Sequence, residues 1–386
     1  MNVDLGQASQ LRDALVGRLE RQGSIHDPNI AAAMRAVPRH QFVTEFPLTT
    51  AYRDEVVPVK SSNGEPISTL SQPSAIATML EQLRLQPGHR VLEIGAGTGY
   101  NAALIAAIVG HGDLVSTIEL DDDLAAIARA NLKASGFADV RVITRDGFAG
   151  APEHAPFDRI ELSVASRLIS PNWVEQLVEG GVLVGPIHVK GLPFLTPAVR
   201  KEGDRLVSES IRACTFVPMR GKAAIPAARF RLPVRPELRF TWESNDEFPA
   251  GLLMRILKKP SRPYGEIPVA WSAAMYLLLT RDNVFYAETE DRRHRGISLF
   301  DRRSESLAAV ISSSDGWGGT TVVVYGDDDA YTELITGLDE WAKRGHPGLE
   351  ALQLTFVPSS APMDMPDAYR IAKPYFDCIA SYRRAE

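Results

Sequence analysis

Three glycines, Gly95, Gly97 and Gly99, alternate through VLEIGAGTGY, directly after an apolar run and directly before a helical one. Residues without a Cβ let the backbone approach a ligand closely, and the free N–H groups at the start of the following helix favour an anion. Glu93 stands two residues ahead of the first glycine, where a carboxylate repels phosphate but suits an ammonium or a water network around an amino acid. Glu119 ends the next apolar run, at the position from which a carboxylate accepts both hydroxyls of a ribose. Asp146-Gly147 follows a third run, where a carboxylate can accept the exocyclic amine of an adenine.

A ligand with an adenine, a ribose and an amino-acid tail is S-adenosyl-L-methionine, and a protein built to hold it transfers methyl groups. The candidate cofactor set is Glu93, Gly95, Gly97, Gly99, Tyr100, Glu119, Leu120, Asp146 and Gly147. A glycine-rich loop alone is as well explained by turn chemistry; three acids at three strand ends are not. The competing reading, a nicotinamide oxidoreductase, lacks a His or Lys pair for hydride chemistry in this region.

These residues need a scaffold. From Arg90 onward, RVLEIGAG, LVSTIEL, VRVITRDG, FDRIELSV and VLVGPI alternate with the helical runs NAALIAAIVG, DDLAAIARANLKASG and WVEQLVEGG. That alternation predicts an α/β fold, a Rossmann-like doubly wound sheet. Ahead of it, LRDALVGRLERQG reads as a helix ended by Gly23, and DPNIAAAMRAV as a second with Asp27 as its cap and Pro28 at its first position. PVKSSNGEPISTLSQP reads as an extended loop leading into the helix SAIATMLEQLRLQ.

With 386 residues, the chain exceeds the size at which one core stops growing. We expect a catalytic domain over 1–222 with a small α-helical N-terminal region, a Pro/Ala-rich linker or crossover strand over 223–236, and a C-terminal α+β domain over 237–386 that serves substrate recognition. In the last, NVFYAET, TTVVVYG and LEALQLTFV read as strands, DDAYTELITGLDEWAKRG as a helix, and Trp317 as ordinary core. A formal net charge of -6 argues against a sequence-independent grip on nucleic acid. Cys214 and Cys378 have no metal-ligand spacing, so no metal site is expected. Residues 1–20 lack the pattern of a signal peptide and no apolar run reaches 18 residues, which predicts a cytoplasmic protein without membrane contact.

AYRDEVVPVK, ISTLSQP, VLEIGAGTGYNAALIA, RDGF and LVEGGVLVGPI occur in the order and near the spacing of the protein-L-isoaspartate O-methyltransferase family, which residues 25–190 resemble. The SQP element is the discriminating one. The resemblance implies a Rossmann-like class I methyltransferase that esterifies the free carboxylate of isoaspartyl residues, with Ser71 as the active-site serine and Tyr52 on the substrate side. Against that role, serine is favoured at helix starts in any case.

Two departures matter. Where the family has a small-residue stretch ending in proline, this chain reads SVASRLISPNW, making Ser163, Ser166 and Arg167 candidate substrate contacts. The chain also continues well beyond the catalytic region; ACTFVPMRG and WAKRGHPGLEALQLTFVP are similar to actinobacterial homologues that methylate an aspartate in a ribosomally made precursor peptide, whose ester collapses to an aspartimide. The leading expectation is that peptide-tailoring role, on a precursor peptide either linear or already cyclised; the alternatives are isoaspartate repair and a degenerate fold that only binds peptides.

Overall fold

The computed structural model describes residues 5–190, 192, 195–224, 228–232, 238–242, 249–267, 269–289, 294–313, 320–362 and 367–383. The chain divides into two compact units, Met1–Ile187 with Pro193–Ala224, and His188–Leu192 with Ile225–Glu386.

The first unit opens with helices α1 (Leu5–Arg21) and α2 (Pro28–Ala36). Leu15, Val16 and Leu19 fall on one face of α1 and are buried, and Asp27 caps α2 by accepting the Asn29 N–H at 2.8 Å. After the single-turn helix α3 (Leu48–Ala51) comes a hairpin of β1 (Val57–Ser62) and β2 (Glu65–Leu70), where the sequence reading had an extended loop. Asn63 and Gly64, at φ 52° and 81°, make the left-handed two-residue turn that closes it. Helix α4 (Pro73–Leu83) follows within three residues.

The sheet of this unit runs β9-β8-β7-β6-β3-β4-β5, with β3 (Val91–Ile94), β4 (Val115–Glu119), β5 (Arg141–Thr144), β6 (Phe157–Leu162) and β7 (Leu177–Val184) parallel. Its last two strands, β8 (Leu195–Glu202) and β9 (Arg205–Ala213), add antiparallel and were not anticipated. Helix α5 (Tyr100–Val109) is apolar on nearly every side and correspondingly buried, whereas α6 (Asp122–Ala134) buries only one face. WVEQLVEGG is helical only as α7 (Pro171–Gln176). Gly180-Gly181 and the flanking valines favour extension, so Leu177 already belongs to β7, with a bulge between the pairs Phe157–Leu177 and Arg159–Val182.

The second unit is α+β. Strands β10 (Ala228–Leu232), β11 (Leu238–Trp242), β12 (Ser261–Glu266), β13 (Val284–Thr289), β14 (His294–Asp301), β15 (Ser306–Ser313) and β16 (Thr320–Tyr325) form an antiparallel sheet in the order β10-β11-β13-β14-β15-β16-β12. Strands β17 (Leu352–Pro358), β18 (Tyr369–Ile371) and β19 (Phe376–Tyr382) pair in the order β18-β19-β17. Helices α8 (Ala250–Ile256), α9 (Trp271–Thr280) and α10 (Asp329–Lys343) complete it, and a Cβ at Gly337 would lie 2.3 Å from Leu277 Cδ2, so the glycine of α10 makes the space that Leu277 of α9 fills. The stretch 223–236, expected as a linker or crossover strand, contains strand β10, paired with β11. Trp317 lies outside the described residues.

Candidate active site

The carboxyl ends of the parallel strands carry the predicted chemistry. Past β3 the chain turns sharply, and the N–H groups of Gly95 and Ala96 both donate to the Ile118 carbonyl, at 2.9 and 3.0 Å. Gly95 sits at φ 102°, and a Cβ there would come within 2.8 Å of Val164. The Gly97 N–H donates to Glu119 Oε2 at 2.9 Å, while Glu119 Oε1 accepts from Leu120 N–H (2.9 Å) and Asp121 N–H (3.2 Å). A carboxylate held by three backbone donors has a fixed orientation, with lone pairs left for a ligand.

One strand further, Asp146 Oδ1 accepts from Phe148 N–H at 2.9 Å and Oδ2 from Lys222 N–H at 2.6 Å. The Gly147 carbonyl is pinned by the indole N–H of fully buried Trp173 at 2.8 Å, and Ser170 Oγ donates to the Phe148 carbonyl at 2.7 Å. The distal half of the unusual SVASRLISPNW stretch therefore braces the Asp146 turn.

Between these ends lies a cleft of about 550 Å³, open to solvent and lined by Gly95, Gly97, Glu119, Leu120 and Gly147 among others. Its outer wall is Val217–Arg220, stitched to the 163–166 segment by Ala165 N–H to Val217 O and Met219 N–H to Ala165 O, both 2.8 Å. Arg220 grips Asp121 with two bonds of 3.0 and 2.9 Å, and Lys60 reaches the same carboxylate at 2.9 Å. Arg220 above all, then Lys60, holds the Asp121 carboxyl below its ordinary range.

A second cavity adjoins the first through Gly95, Gly97 and Ser163, and brings together Ser71, Glu93, Tyr100, Asn101 and Glu161. Glu93 on β3 is in register with Glu161 on β6, and both are buried. Asn101 Nδ2 bridges them, donating to Glu93 Oε1 at 2.8 Å and Glu161 Oε2 at 3.0 Å; Ser163 Oγ and Thr117 Oγ1 also donate to Glu93, at 3.0 and 2.5 Å. Burial pushes the Glu93 carboxyl up to about 7, and burial followed by the neighbouring Glu93 charge pushes Glu161 up to about 8.

Ser71 is not the cap of α4. The first turn is capped instead by Asp54 Oδ1, which accepts the Ser74 N–H at 2.8 Å, with Gln72 at the N-cap position and Pro73 first in the helix. The Ser71 carbonyl accepts from Arg39 Nη2 at 2.8 Å, and its hydroxyl makes no hydrogen bond among the described residues.

Asp146 itself lines neither cavity, its two oxygens being taken up by the Phe148 and Lys222 N–H groups while its neighbour Gly147 lines the cleft, and four further predicted residues sit elsewhere. Gly99 faces α6, where a Cβ would meet Leu132 at 3.1 Å, and so serves helix packing. Tyr52 is buried with its hydroxyl on His40 Nδ1 at 2.7 Å and lines neither cavity. Ser166 is fully buried and donates to the Leu168 carbonyl at 2.8 Å, making a local turn. Arg167 is half-buried and lines neither cavity. The sequence reading missed Arg39, Asn101, Glu161 and Arg220. Only Glu161 carried a local signal, an acid inside the apolar run FDRIELSV.

A glycine turn feeding a buried helix, with acids closing three consecutive parallel strands, defines a class I methyltransferase, the class whose methyl donor is S-adenosyl-L-methionine. The family model described as protein-L-isoaspartate (D-aspartate) O-methyltransferase matches residues 9–224, more than half of the chain, and the chain belongs to that family. A protein-L-isoaspartate O-methyltransferase of Hyperthermus butylicus is 39% identical over 221 residues, covering 55% of this chain and 90% of that protein. One from Roseiflexus sp. strain RS-1 is 39% identical over 219 residues, covering 57% and 96%. A solved protein-L-isoaspartate O-methyltransferase aligns at 26% identity and a TM-score of 0.54, covering 96% of this chain and 99% of its own. A second unit is therefore not peculiar to this chain.

Proposed function

We propose that the chain transfers a methyl group to the free α-carboxylate of isoaspartyl residues, whose side-chain carboxyl carries the peptide bond, in peptides or proteins. The observation that carries this reading is the placement of Ser71, an uncommitted hydroxyl in the cavity that continues from the glycine turn. The chain's residues suit the cofactor: Gly95 and Gly97 present backbone without a side chain to the cleft, and among the described residues Thr98 Oγ1 and Asn101 Oδ1 are buried acceptors without a partner. When bound, S-adenosyl-L-methionine supplies an electrophilic methyl on a sulfonium.

In this reading Glu119 holds the ribose hydroxyls, Asp146 and Gly147 the adenine edge with Leu120 alongside, and Glu93 the amino-acid end. An acceptor carboxylate with an ordinary pKa of about 3.9 is already ionised at neutral pH, so no general base is required. Ser71 donates to that carboxylate and aligns it, and orientation in a desolvated site supplies the rate. The partner is a peptide or protein rather than nucleic acid or membrane, and we place the work in the cytoplasm.

The peptide-tailoring role, the leading expectation from the sequence, rested on the extension and on SVASRLISPNW, with isoaspartate repair as its alternative. A solved relative of the repair name spans nearly the whole chain, and Ser163, Ser166 and Ser170 have internal duties, so isoaspartate methylation is the better supported reading. The test is mass spectrometry of one peptide in its isoaspartyl and aspartyl forms, beside an Asp-containing precursor peptide, after incubation with the full chain and S-adenosyl-L-methionine. Gain of a methyl by the isoaspartyl form alone is expected, and by Ser71→Ala at least tenfold more slowly. Methylation of the aspartyl precursor with the isoaspartyl peptide untouched would replace this reading with peptide tailoring.

A further inference from the structure

Read across the sheet in the order β6-β3-β4-β5, the strand ends carry Glu161, Glu93, Glu119 and Asp146, one acid per strand. On the functional reading above, adenine lies at Asp146 and ribose at Glu119, so the amino-acid tail continues over β3 toward β6. The proposed function uses only Glu93 there. Glu161 is 1% exposed, lines the same cavity, and has a hydrogen bond to only one of its oxygens, Oε2, among the described residues. No cation pairs with either glutamate among the described residues, although buried carboxylates ordinarily require one. Thr98 Oγ1 and Asn101 Oδ1, on the same cavity, are also acceptors without a partner.

We propose that Glu161 is a second carboxylate for the α-ammonium of S-adenosyl-L-methionine, acting with Glu93 across the Asn101 bridge, and that seating the ammonium expels a proton shared by the two glutamates.

The charge balance requires the expulsion. Glu161 faces Glu93 on β3, with Glu119 on β4 beyond it and the neutral Tyr100 on α5; β7 contributes Val184 opposite. The Arg39 guanidinium lies against the Tyr100 ring but is committed to the Ser71 and Ala51 carbonyls; with no positive charge paired to either glutamate among the described residues, one proton remains between them near neutrality when the cavity is empty, as in other close carboxylate pairs. An ammonium brings the missing charge together with three donors. The proton leaves to solvent, no covalent bond changes, and cofactor affinity rises with pH while the cofactor's own amine stays protonated.

The experiment is titration calorimetry of the full chain with S-adenosylhomocysteine and with methylthioadenosine, which lacks the amino-acid tail, from pH 6 to 7.5 in two buffers of different ionisation enthalpy. Release of about half to one proton is expected with S-adenosylhomocysteine, with affinity strengthening roughly five- to tenfold per pH unit toward the acid end, and neither with methylthioadenosine. In Glu161→Gln, S-adenosylhomocysteine binding weakens at least tenfold at pH 7.5 and its proton release falls below half, while methylthioadenosine binds as before. Release with the wild-type chain is read without any variant, so a misfolded Glu161→Gln leaves the test intact. S-adenosylhomocysteine bound without proton release, or equally well by folded Glu161→Gln, overturns the proposal alone; failure of both ligands to bind overturns the cofactor reading and this proposal with it.

Discussion

Arg39 Nη2 donates to the carbonyl oxygen of Ser71 at 2.8 Å, and Arg39 Nε to that of Ala51 at 2.8 Å, so one buried guanidinium ties the candidate catalytic serine to the N-terminal region. Its cation also stands 5.1 Å from the centre of the Tyr100 ring. Replacing it by methionine leaves the buried Ala51 carbonyl and the half-buried Ser71 carbonyl without this donor, at a cost of about 2 to 4 kcal/mol. We expect Arg39→Met to lower kcat on an isoaspartyl peptide roughly ten- to a hundredfold by displacing Ser71, with little change in S-adenosylhomocysteine affinity. Arg39→Lys should recover part of the stability, since one ammonium cannot serve both carbonyls in the guanidinium's geometry. Chemical denaturation, steady-state kinetics and calorimetry together check this.

Glu119 is tied to the glycine turn by its bond from Gly97 N–H, and on the proposed reading it holds the ribose. In Glu119→Gln the charge is lost and one of its two oxygens becomes a donor facing backbone N–H groups. Charge-assisted bonds are worth about 1.5 to 3 kcal/mol, so S-adenosylhomocysteine should bind roughly ten- to a hundredfold more weakly by calorimetry. An unchanged Kd would remove Glu119 from the cofactor site.

Asp121 is held below its ordinary range by Arg220 and Lys60. A carboxyl depressed in the folded state stabilises above its unfolded pKa of about 3.9, and that contribution disappears as pH falls through the folded value. The stability gap between wild type and Asp121→Asn, about 0.5 to 1 kcal/mol at pH 7 for such half-exposed pairs, should therefore close below about pH 4. Urea denaturation across that range measures it, and a gap that persists undiminished at pH 3 would contradict the ion pairing.

The two cleft glycines are not equivalent. Gly95 lies at φ 102° with Val164 2.8 Å from the position of a Cβ; Gly97 lies at φ 53° with only ordinary contact, 3.6 Å to Ser68. Gly95→Ala should lower Tm by several degrees more than Gly97→Ala, whose left-handed backbone costs alanine about 1 kcal/mol.

What the sequence makes legible is local. Glu93, the glycine turn, Glu119 and Asp146 each sit at a strand-to-helix junction, where a short pattern fixes both the element and the direction of its end. Arg39, Glu161 and Arg220 reach the site only through tertiary packing: Arg39 acts across 32 residues on Ser71, and Arg220 across 99 on Asp121. Tyr52 and Ser166 have the right chemistry at near-family positions but are buried with internal partners, which composition does not reveal. The β1–β2 hairpin was readable from Asn63-Gly64, yet the prolines around it suggested a loop. In the second unit the apolar run of α9 looks equally like a strand, because a fully buried helix shows no amphipathic period.

The central claim is a spatial order, with adenine at Asp146, ribose at Glu119, the amino-acid end at Glu93 and the acceptor carboxylate at Ser71. A crystal structure of the full chain with S-adenosylhomocysteine and an isoaspartyl peptide measures that order in one experiment. The account predicts the nucleoside in the cleft beside Gly147 and Leu120, the thioether sulfur facing the second cavity, and the isoaspartyl carboxylate within hydrogen-bonding distance of Ser71 Oγ. A nucleoside lying over β6, or a peptide carboxylate held away from Ser71, would contradict it.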